Sequence, residues 1–291
     1  MPELPEVETV RRGLAEAMTG RRIAAVALKR SDLRTPFPER FVERLVGRRV
    51  DGLSRRAKYI LAHLDSGEAL IMHLGMSGSF RIERDAAART PGAFRFARSK
   101  DQAHDHVTFV LSDGARIVYN DPRRFGSMSL VALDPSGSVA ALDGLGIEPL
   151  SDEFDGAALA RVMAGRKAPL KAALLDQGLV AGLGNIYVCE ALHRAKLSPR
   201  RAAGTLAGRS GASRAKALAQ AIHSVLQEAI AAGGSSLRDH RRTDGGLGHF
   251  QHAFVVYEKE GVACPRPRCR GRIVRIVQAG RSTFFCPICQ R

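Results

Sequence analysis

Four cysteines near the C-terminus constrain the fold of this chain more than any other feature of its sequence. They form two close pairs, Cys264 with Cys269 and Cys286 with Cys289, and a 16-residue insert separates the pairs. Four thiolates in two such knuckles supply the tetrahedral ligands of a structural zinc ion, which can fold a segment with little core of its own. The insert alternates in hydrophobicity around residues 279–280, so the sequence predicts a β-hairpin finger that binds one zinc ion.

The rest of the chain changes from strand-like to helix-like patterns near residues 135–153. An amphipathic helix is predicted over 5–18, and the short apolar runs that follow are typical of an antiparallel β-sandwich or barrel. These runs are 23–28, 59–64, 69–72, 79–82, 107–111, 117–119 and 127–133. Helical patterns cover 157–164, 170–177, 185–195 and 212–232, and the third carries Cys189 as an expected core residue. The stretch 84–104 lacks periodicity and is predicted to be a surface loop.

The charge of the chain indicates a polyanionic partner. Its 45 lysines and arginines exceed its 29 acidic residues by 16, and its isoelectric point is about 10.5, in the range of nucleic-acid-binding proteins. Residues 264–291 contain seven arginines and no acidic residue. No apolar run approaches the roughly 20 residues of a membrane-spanning helix, so we expect a cytoplasmic protein with no membrane partner.

The first residues carry a candidate nucleophile. Removal of Met1 would leave Pro2 with a free secondary amine, and because an α-amino group has a pKa near ~8, part of it is unprotonated at neutral pH and able to attack an electrophilic carbon. Glu3 and Glu6 lie within one helical turn of this amine. The same residues also suit an ordinary helix start, since proline and acidic side chains are favoured in the first turn. Taken alone, the N-terminus leaves both interpretations open.

Three glycine-containing segments are further candidates for binding. Residues 121–126 place Arg123, Arg124 and Phe125 on a turn, which is either a wedge into stacked bases or a solvated basic turn with a core phenylalanine. Met76, in segment 73–78, is likewise either a wedge or a core residue. Glycines at 182 and 184 before a predicted helix suggest an anion site with Asn185 as the helix cap, or a plain tight turn.

In combination, motifs along the whole chain resemble the family of bacterial formamidopyrimidine-DNA glycosylases. The motifs are Pro-Glu-Leu-Pro-Glu at 2–6, Arg-Arg-Ala-Lys-Tyr at 55–59, His-Leu-Gly-Met-Ser-Gly at 73–78, Asp-Pro-Arg-Arg-Phe-Gly at 121–126, Gly-Leu-Gly-Asn-Ile-Tyr at 182–187 and the four cysteines. The resemblance implies an α+β fold with an N-terminal helix, an antiparallel β-sandwich, a helix–two-turn–helix domain and a C-terminal β-hairpin zinc finger. The implied limits are 2–134 for the catalytic domain, 135–232 for the helical domain, 233–263 for a lesion-capping loop and linker, and 264–291 for the finger.

The resemblance also implies an activity in base-excision repair: removal of formamidopyrimidines and of 8-oxoguanine opposite cytosine, followed by β,δ-elimination at the abasic site. Pro2 is implied to form a Schiff base at C1′, with Glu3 transferring protons at the sugar and Glu6 supporting the site. Lys58 and Arg281 match the family's residues for β- and δ-elimination. The implied DNA contacts are His73, His104, Arg123, Arg124, Arg166, Lys171 and Asn185, and the residues implied to replace the flipped nucleotide are Met76, Arg123 and Phe125.

The implied partner is damaged double-stranded DNA, and we expect a nucleoid-associated monomer with one structural zinc ion. The chain departs from the family at 84–100, where the connection is longer than usual. An endonuclease VIII-like enzyme for oxidised pyrimidines is one alternative, although Leu4-Pro5 and the Arg-Arg-Phe turn fit the purine branch better. A damaged-DNA binder without catalysis is a second. An RNA-associated zinc-finger protein is a third, but a chain without tryptophan and with 5% aromatic residues offers few stacking platforms.

Overall fold

The computed structural model describes residues 2–84, 87–89, 101–135, 137–234 and 250–291. The chain forms two compact units, a first unit of Met1–Asp143 with Ile230–Gln251 and a second unit of Gly144–Ala229 with His252–Arg291. Their division after Asp143 falls within the interval 135–153, where the sequence pattern changes. Residues 235–249 of the expected lesion-capping loop and linker at 233–263, and most of the insertion at 84–100, lie outside the described residues. The domain limits inferred from the resemblance stay a prediction.

Helix α1, Leu4–Met18, opens the first unit and starts with a capping box. The N–H of Glu3 donates to Oε2 of Glu6 at 2.9 Å, and the N–H of Glu6 is bound by the Glu3 side chain in return. This reciprocal pair satisfies donors that a helix start would otherwise leave unpaired. Val10 and Leu14 lie on the buried face of the helix. The predicted amphipathic helix is therefore confirmed.

Two antiparallel sheets make up the described strands of the first unit, as the sequence predicted for a sandwich. One sheet has the order β2-β3-β4-β9 and the other the order β1-β7-β8-β5-β6. Their inner faces and α1 share one apolar core, which includes Ile60, Phe80 and Phe109. The strands are β1 Ile23–Leu28, β2 Val50–Arg56, β3 Tyr59–Leu64, β4 Glu68–His73, β5 Ser79–Arg84, β6 Ala87–Arg89, β7 Asp105–Leu111, β8 Arg116–Asn120 and β9 Ser127–Ala132.

Sequence periodicity missed three elements of this unit. Strand β2 contains Asp51, Gly52 and two arginines, so it lacks an apolar run, yet it pairs with β3 along its length and packs against α1. The short helix α2, Phe41–Leu45, was also missed. The prediction of a surface loop over 84–104 is wrong at β6, which extends β5 as its antiparallel partner. For the two strands, pairing with a neighbouring strand outweighs a weak local preference.

The second unit carries the four helices expected from the sequence and the hairpin of the finger. The helices are α3 Gly156–Met163, α4 Leu170–Leu175, α5 Asn185–Arg194 and α6 Ala212–Ala231, and the antiparallel strands of the hairpin are β10 Val274–Gln278 and β11 Arg281–Phe285. Cys189 is buried on α5, as predicted. In the described residues, no helix combines the length and the apolar character needed to cross a membrane.

Candidate active site and zinc centre

The two carboxylates beside the candidate nucleophile are buried at the start of α1. Pro2, Glu3 and Glu6 are all buried. Because Glu6 accepts the backbone N–H of Glu3, it fixes the peptide that carries both Glu3 and the preceding Pro2. Glu6 therefore orients the peptide that follows Pro2, and its supporting role in the site stays a prediction.

Lys58 lies on the two-residue turn between β2 and β3, directly after Ala57, whose φ of 53° is left-handed. Lys58 is buried. Arg55 stabilises this turn by donating to the Ala57 carbonyl at 2.9 Å, and its Nε lies 3.2 Å from Oε2 of Glu8 on α1. Burial alone would raise the pKa of Glu8, but hydrogen bonds from arginines 11 and 12 lower it, so the ion pair is charged at neutral pH.

The register of these contacts places the N-terminus and Lys58 at the same end of the first unit. Glu8 is level with Arg55, and Arg11 donates to the Leu53 carbonyl at 3.0 Å, so α1 and β2 run in opposite directions. A helix rises about 1.5 Å and a strand about 3.3 Å per residue. The residues that precede Glu8 in α1 therefore lie on the side of Arg55 that faces Lys58, so the start of the helix and Lys58 are at the same end.

His73 lies at this same end of the sheet, on the neighbouring strand. It pairs with Tyr59 across β3 and β4, and the two ring centroids are 4.9 Å apart. Burial lowers the pKa of His73 to about 4, and the nearby charges of Lys58 and Arg34 act in the same direction. Its Nδ1 accepts the N–H of Gly75 at 3.1 Å. The neutral ring therefore carries its proton on Nε2 and offers one hydrogen-bond donor.

We expect the His73→Ala variant to bind duplex DNA more weakly without changing the slope of log Kd against log salt. A neutral donor releases no counterion, whereas loss of a cation at a phosphate reduces the slope by about one. Arg124→Ala is the matched control, since Arg124 is an exposed cation of the same unit. Titrations at several salt concentrations, at about pH 6 and 8, test this, because both values exceed the pKa of His73. A slope reduced as much as in Arg124→Ala would show that His73 binds as a cation.

The residues implied to replace a flipped nucleotide are exposed on two adjoining loops. Met76 is 41% exposed and Phe125 is 43% exposed. The interpretation of Phe125 as a core residue is therefore wrong, and so is that of Met76. The guanidinium of Arg123 lies 4.7 Å from the centroid of the Phe125 ring, so the two side chains stack. These loops present a planar, partly apolar projection.

A basic cavity of about 390 Å³ adjoins the loop that carries Arg123 and Phe125. His104, His106 and Arg124 line it together with Lys29 and Arg30, which sequence reasoning did not identify. Lys29 and Arg30 could be identified only from their position in the fold, because two basic residues at the end of a strand belong to no recognisable sequence motif. The cavity therefore concentrates positive charge around the predicted DNA contacts His104 and Arg124.

Three predicted DNA contacts of the second unit have different surroundings. Arg166 is exposed, and its Nε donates to the Val162 carbonyl at 2.9 Å. Lys171 is fully buried, and its ammonium donates to the Ser282 carbonyl at 3.0 Å and to Oγ1 of Thr283 at 2.7 Å. The prediction that Lys171 touches DNA directly is therefore corrected, since its donors hold the finger hairpin.

Asn185 also binds the hairpin, through its Nδ2 to the same Ser282 carbonyl at 2.9 Å. It is the first residue of α5, and the cap position belongs to Gly184. The prediction of Asn185 as the helix cap is therefore wrong, because its amide is engaged with β11. Arg281 begins β11 next to Ser282 and is exposed. Lys171 and Asn185 together fix the strand that carries Arg281.

The four cysteines of the finger lie in the geometry of one metal site. Their sulfur atoms all lie within 4.8 Å of one another. The Sγ atoms of Cys264 and Cys289 are 3.8 Å apart, and those of Cys269 and Cys286 are 3.6 Å apart. A tetrahedral zinc with Zn–S bonds of about 2.3 Å requires about 3.8 Å between sulfurs. The donor set therefore fits one zinc ion.

Two buried residues of α5 that sequence reasoning missed bind the finger and the segment just before it. Nε2 of His193 lies 3.5 Å from Sγ of Cys264, and burial together with nearby arginines lowers the pKa of His193 to about 4. Glu190 accepts the N–H groups of residues 255, 256 and 257, the last at 2.9 Å. Burial raises the pKa of Glu190, while these three bonds oppose the shift. Glu190 and His193 are single polar residues in an otherwise apolar helical pattern, and such residues match no sequence motif that would predict these contacts.

Comparison with protein families agrees with this architecture along the chain. Three family models match: the formamidopyrimidine-DNA glycosylase N-terminal domain at residues 1–128, the formamidopyrimidine-DNA glycosylase H2TH domain at 145–241, and the zinc finger found in FPG and IleRS at 264–291. The last match coincides with the four clustered thiols, so the finger is a structural zinc site.

Curated relatives and solved structures match over the full length. The chain is 62% identical to the formamidopyrimidine-DNA glycosylase of Beijerinckia indica and 61% identical to that of Methylocella silvestris, with 100% of each chain covered. The MutM (Fpg) structure from Thermus thermophilus has 40% identity and a TM-score of 0.80, and covers 99% of this chain and 98% of its own. The Lactococcus lactis Fpg complex with abasic-site DNA has 35% identity and a TM-score of 0.82, with full coverage of both chains. The chain belongs to the formamidopyrimidine-DNA glycosylase family of base-excision repair enzymes, DNA glycosylases that also act as lyases at abasic sites.

Proposed function

We propose that this enzyme removes oxidised purines, above all formamidopyrimidines and 8-oxoguanine opposite cytosine, through a Schiff base on Pro2. The observation that carries the proposal is the common position of the start of α1, Lys58 and His73 at one end of the first unit. The nucleophile Pro2, the buried cation Lys58 and the neutral hydrogen-bond donor His73 are thus proposed to act on the same sugar. Related proteins support the substrate class, since one Lactococcus lactis Fpg complex contains Fapy-dG DNA.

The chemistry begins after removal of Met1, which frees the Pro2 nitrogen. This nitrogen forms a bond to C1′ while the glycosidic bond breaks, and the electron pair of the glycosidic bond leaves with the base, which is protonated. The Pro2 nitrogen then releases its N–H proton to water, which restores the lone pair needed for the next step. The C1′–O4′ bond then opens, with Glu3 supplying the proton to O4′, and the nitrogen of Pro2 forms an iminium. Because proline is a secondary amine, this iminium cannot lose its charge by deprotonation, so it remains a strong electron sink.

Strand cleavage follows from that electron sink. Loss of a proton from C2′ expels the 3′ phosphate, and loss of a proton from C4′ then expels the 5′ phosphate. Lys58 is proposed to bind the phosphate and supply a proton in the first elimination, and Arg281 to hold the phosphate in the second. Hydrolysis of the remaining iminium returns the free amine of Pro2.

Damaged duplex DNA is the proposed partner, bound by a monomer in the cytoplasm at the nucleoid. The net charge of +16 and the cavity formed around Lys29, His104 and Arg124 suit a phosphate backbone. Solved relatives are complexes with abasic-site DNA and with THF-containing DNA. His73, His104, Arg124, Arg166 and Asn185 remain the proposed contacts, whereas Lys171 acts through the finger hairpin.

Specificity for the opposite base is proposed to depend on the exposed projection. Met76 and Phe125 would replace the flipped nucleotide in the stack, which offsets part of the cost of unstacking. Arg123 would face the orphan base, and its planar set of donors suits the acceptor-rich edge of cytosine. The segment 233–248, proposed to cap the lesion, is mostly outside the described residues.

We expect excision of 8-oxoguanine opposite cytosine to be faster than excision opposite adenine by at least roughly tenfold, the usual scale of one well-placed bidentate contact. Single-turnover assays on both duplexes, and on one with an oxidised thymine, test this. Arg123→Lys is the matched variant, since it keeps the charge and loses the planar fork, and should narrow the difference. Preference for the thymine lesion would favour the endonuclease VIII-like alternative, and no excision or borohydride trapping would favour a non-enzymatic binder.

A further inference from the structure

Asp121 is a fully buried carboxylate to which the proposed chemistry assigns no part. It directly precedes the loop of Arg123 and Phe125. Its side chain accepts the N–H of Gly126 at 2.9 Å and the hydroxyl of Tyr119 at 3.2 Å. Asp121 accepts two further bonds, from the Ser77 hydroxyl to its Oδ1 and from Nε2 of His106 to its carbonyl. Its own N–H donates to the carbonyl of His104.

The bond from Ser77 connects Asp121 to the second exposed loop. Ser77 follows Met76, and its hydroxyl donates to Asp121 while accepting the backbone N–H of Arg123 at 3.1 Å. One hydroxyl thus bridges the carboxylate, the loop of Met76 and the backbone of the loop that carries Phe125.

The backbones of the two loops also touch without room for side chains. Gly75 has a φ of 60°, and a Cβ there would lie 2.3 Å from the carbonyl carbon of Phe125. A Cβ at Gly78 would lie 2.3 Å from the Tyr119 hydroxyl oxygen, and one at Gly126 would lie 1.8 Å from it. The loops therefore meet directly around Tyr119 and Asp121, and one fixed relative position results.

We propose that Asp121, acting through Ser77, is the positioning group that locks these two loops together, so that Met76 and the Arg123–Phe125 pair enter the duplex as one rigid wedge. The inference rests on the proposed replacement of the flipped nucleotide. Without the bridge, each loop would move separately, and the wedge side chains would act independently. Groups that act as a unit show non-additive mutational effects, whereas independent groups show additive ones.

The test is a double-mutant cycle of Met76→Ala and Phe125→Ala, measured as single-turnover excision of 8-oxoguanine opposite cytosine. The cycle is run in the parent enzyme and in the Ser77→Ala background. We expect a coupling factor of about tenfold in the parent, within the range for contacting residues, and a factor near one with Ser77→Ala. Ser112→Ala is the matched control, because the Ser112 hydroxyl also accepts a backbone N–H, from Arg22 at 3.2 Å, in the same unit. Its cycle should equal that of the parent.

Tyr119→Phe provides a second variant that keeps the buried ring and removes only one donor to Asp121, so it should lower the coupling partly. An unchanged coupling factor in both Ser77→Ala and Tyr119→Phe would overturn the inference while leaving the wedge itself intact. No effect of Met76→Ala or Phe125→Ala in the parent would overturn the inference together with the proposed wedge. The two failures are therefore distinguishable.

Discussion

Replacing Pro2 by glycine, or retaining Met1, is expected to reduce borohydride trapping on abasic-site DNA by at least roughly a hundredfold, about the range spanned by loss of one essential catalytic group. Glycine supplies a primary amine, whose imine can lose its proton and with it the positive charge that drives elimination. Retained Met1 converts the Pro2 nitrogen into an amide, which is no nucleophile. Binding to the same duplex should be nearly unchanged in both forms. Trapping gels and binding titrations on one protein preparation measure the two effects separately.

Pro5→Ala is the matched control for this prediction. Pro5 lies in the first turn of α1, whereas Pro2 lies just before the helix. The nitrogen of Pro5 is never the chain terminus, so it cannot act as the nucleophile. If the effect of Pro2→Gly came from a disturbed helix start, Pro5→Ala would show it as well. Trapping that persists at the parental level with a blocked N-terminus would assign the nucleophile to another residue, and peptide mapping of the adduct would identify it.

Cys264→Ser is expected to lower the zinc content from one ion per chain and to weaken binding to damaged duplex DNA by at least roughly tenfold, the scale of one lost charged contact. A finger with so few buried side chains depends on metal coordination for its folded state. Arg281 begins β11, and Lys171 and Asn185 bind this strand at Ser282. Loss of the metal should therefore release Arg281 from its position. Metal analysis and binding titrations check the two parts.

Cys189→Ala controls for the general loss of a thiol. Cys189 is buried on α5 and is not a member of the described cysteine cluster. It should keep one zinc ion and parental affinity, although a small loss of thermal stability is expected from the cavity. A Cys264→Ser protein that lacks zinc and still binds with parental affinity would contradict the role assigned to the finger.

Much of the site was predictable because its chemistry is local in the sequence. The zinc ligands lie in two short knuckles, and the capping pair Glu3 and Glu6 is separated by less than one turn. Met76 and Phe125 follow glycine-containing or proline-containing segments that form turns. The positions of helices α3 to α6 follow from periodicity, since each buries one apolar face. The family resemblance added roles to these residues, and the geometry of the first unit is consistent with them.

The sequence alone determined the helix start, the four-thiol zinc site, the order of strand-rich and helical regions, and the basic character of the chain. Each of these depends on residues close together along the chain or on composition. Only the tertiary structure decided that Lys171 is buried beneath β11, that His193 contacts the finger while Glu190 binds the segment before it, and that Asp121 joins two loops through Ser77. These contacts connect residues tens to about a hundred positions apart. Each of these side chains could bind any of many polar groups, and long-range packing decides which one it contacts. No local sequence pattern predicts that partner.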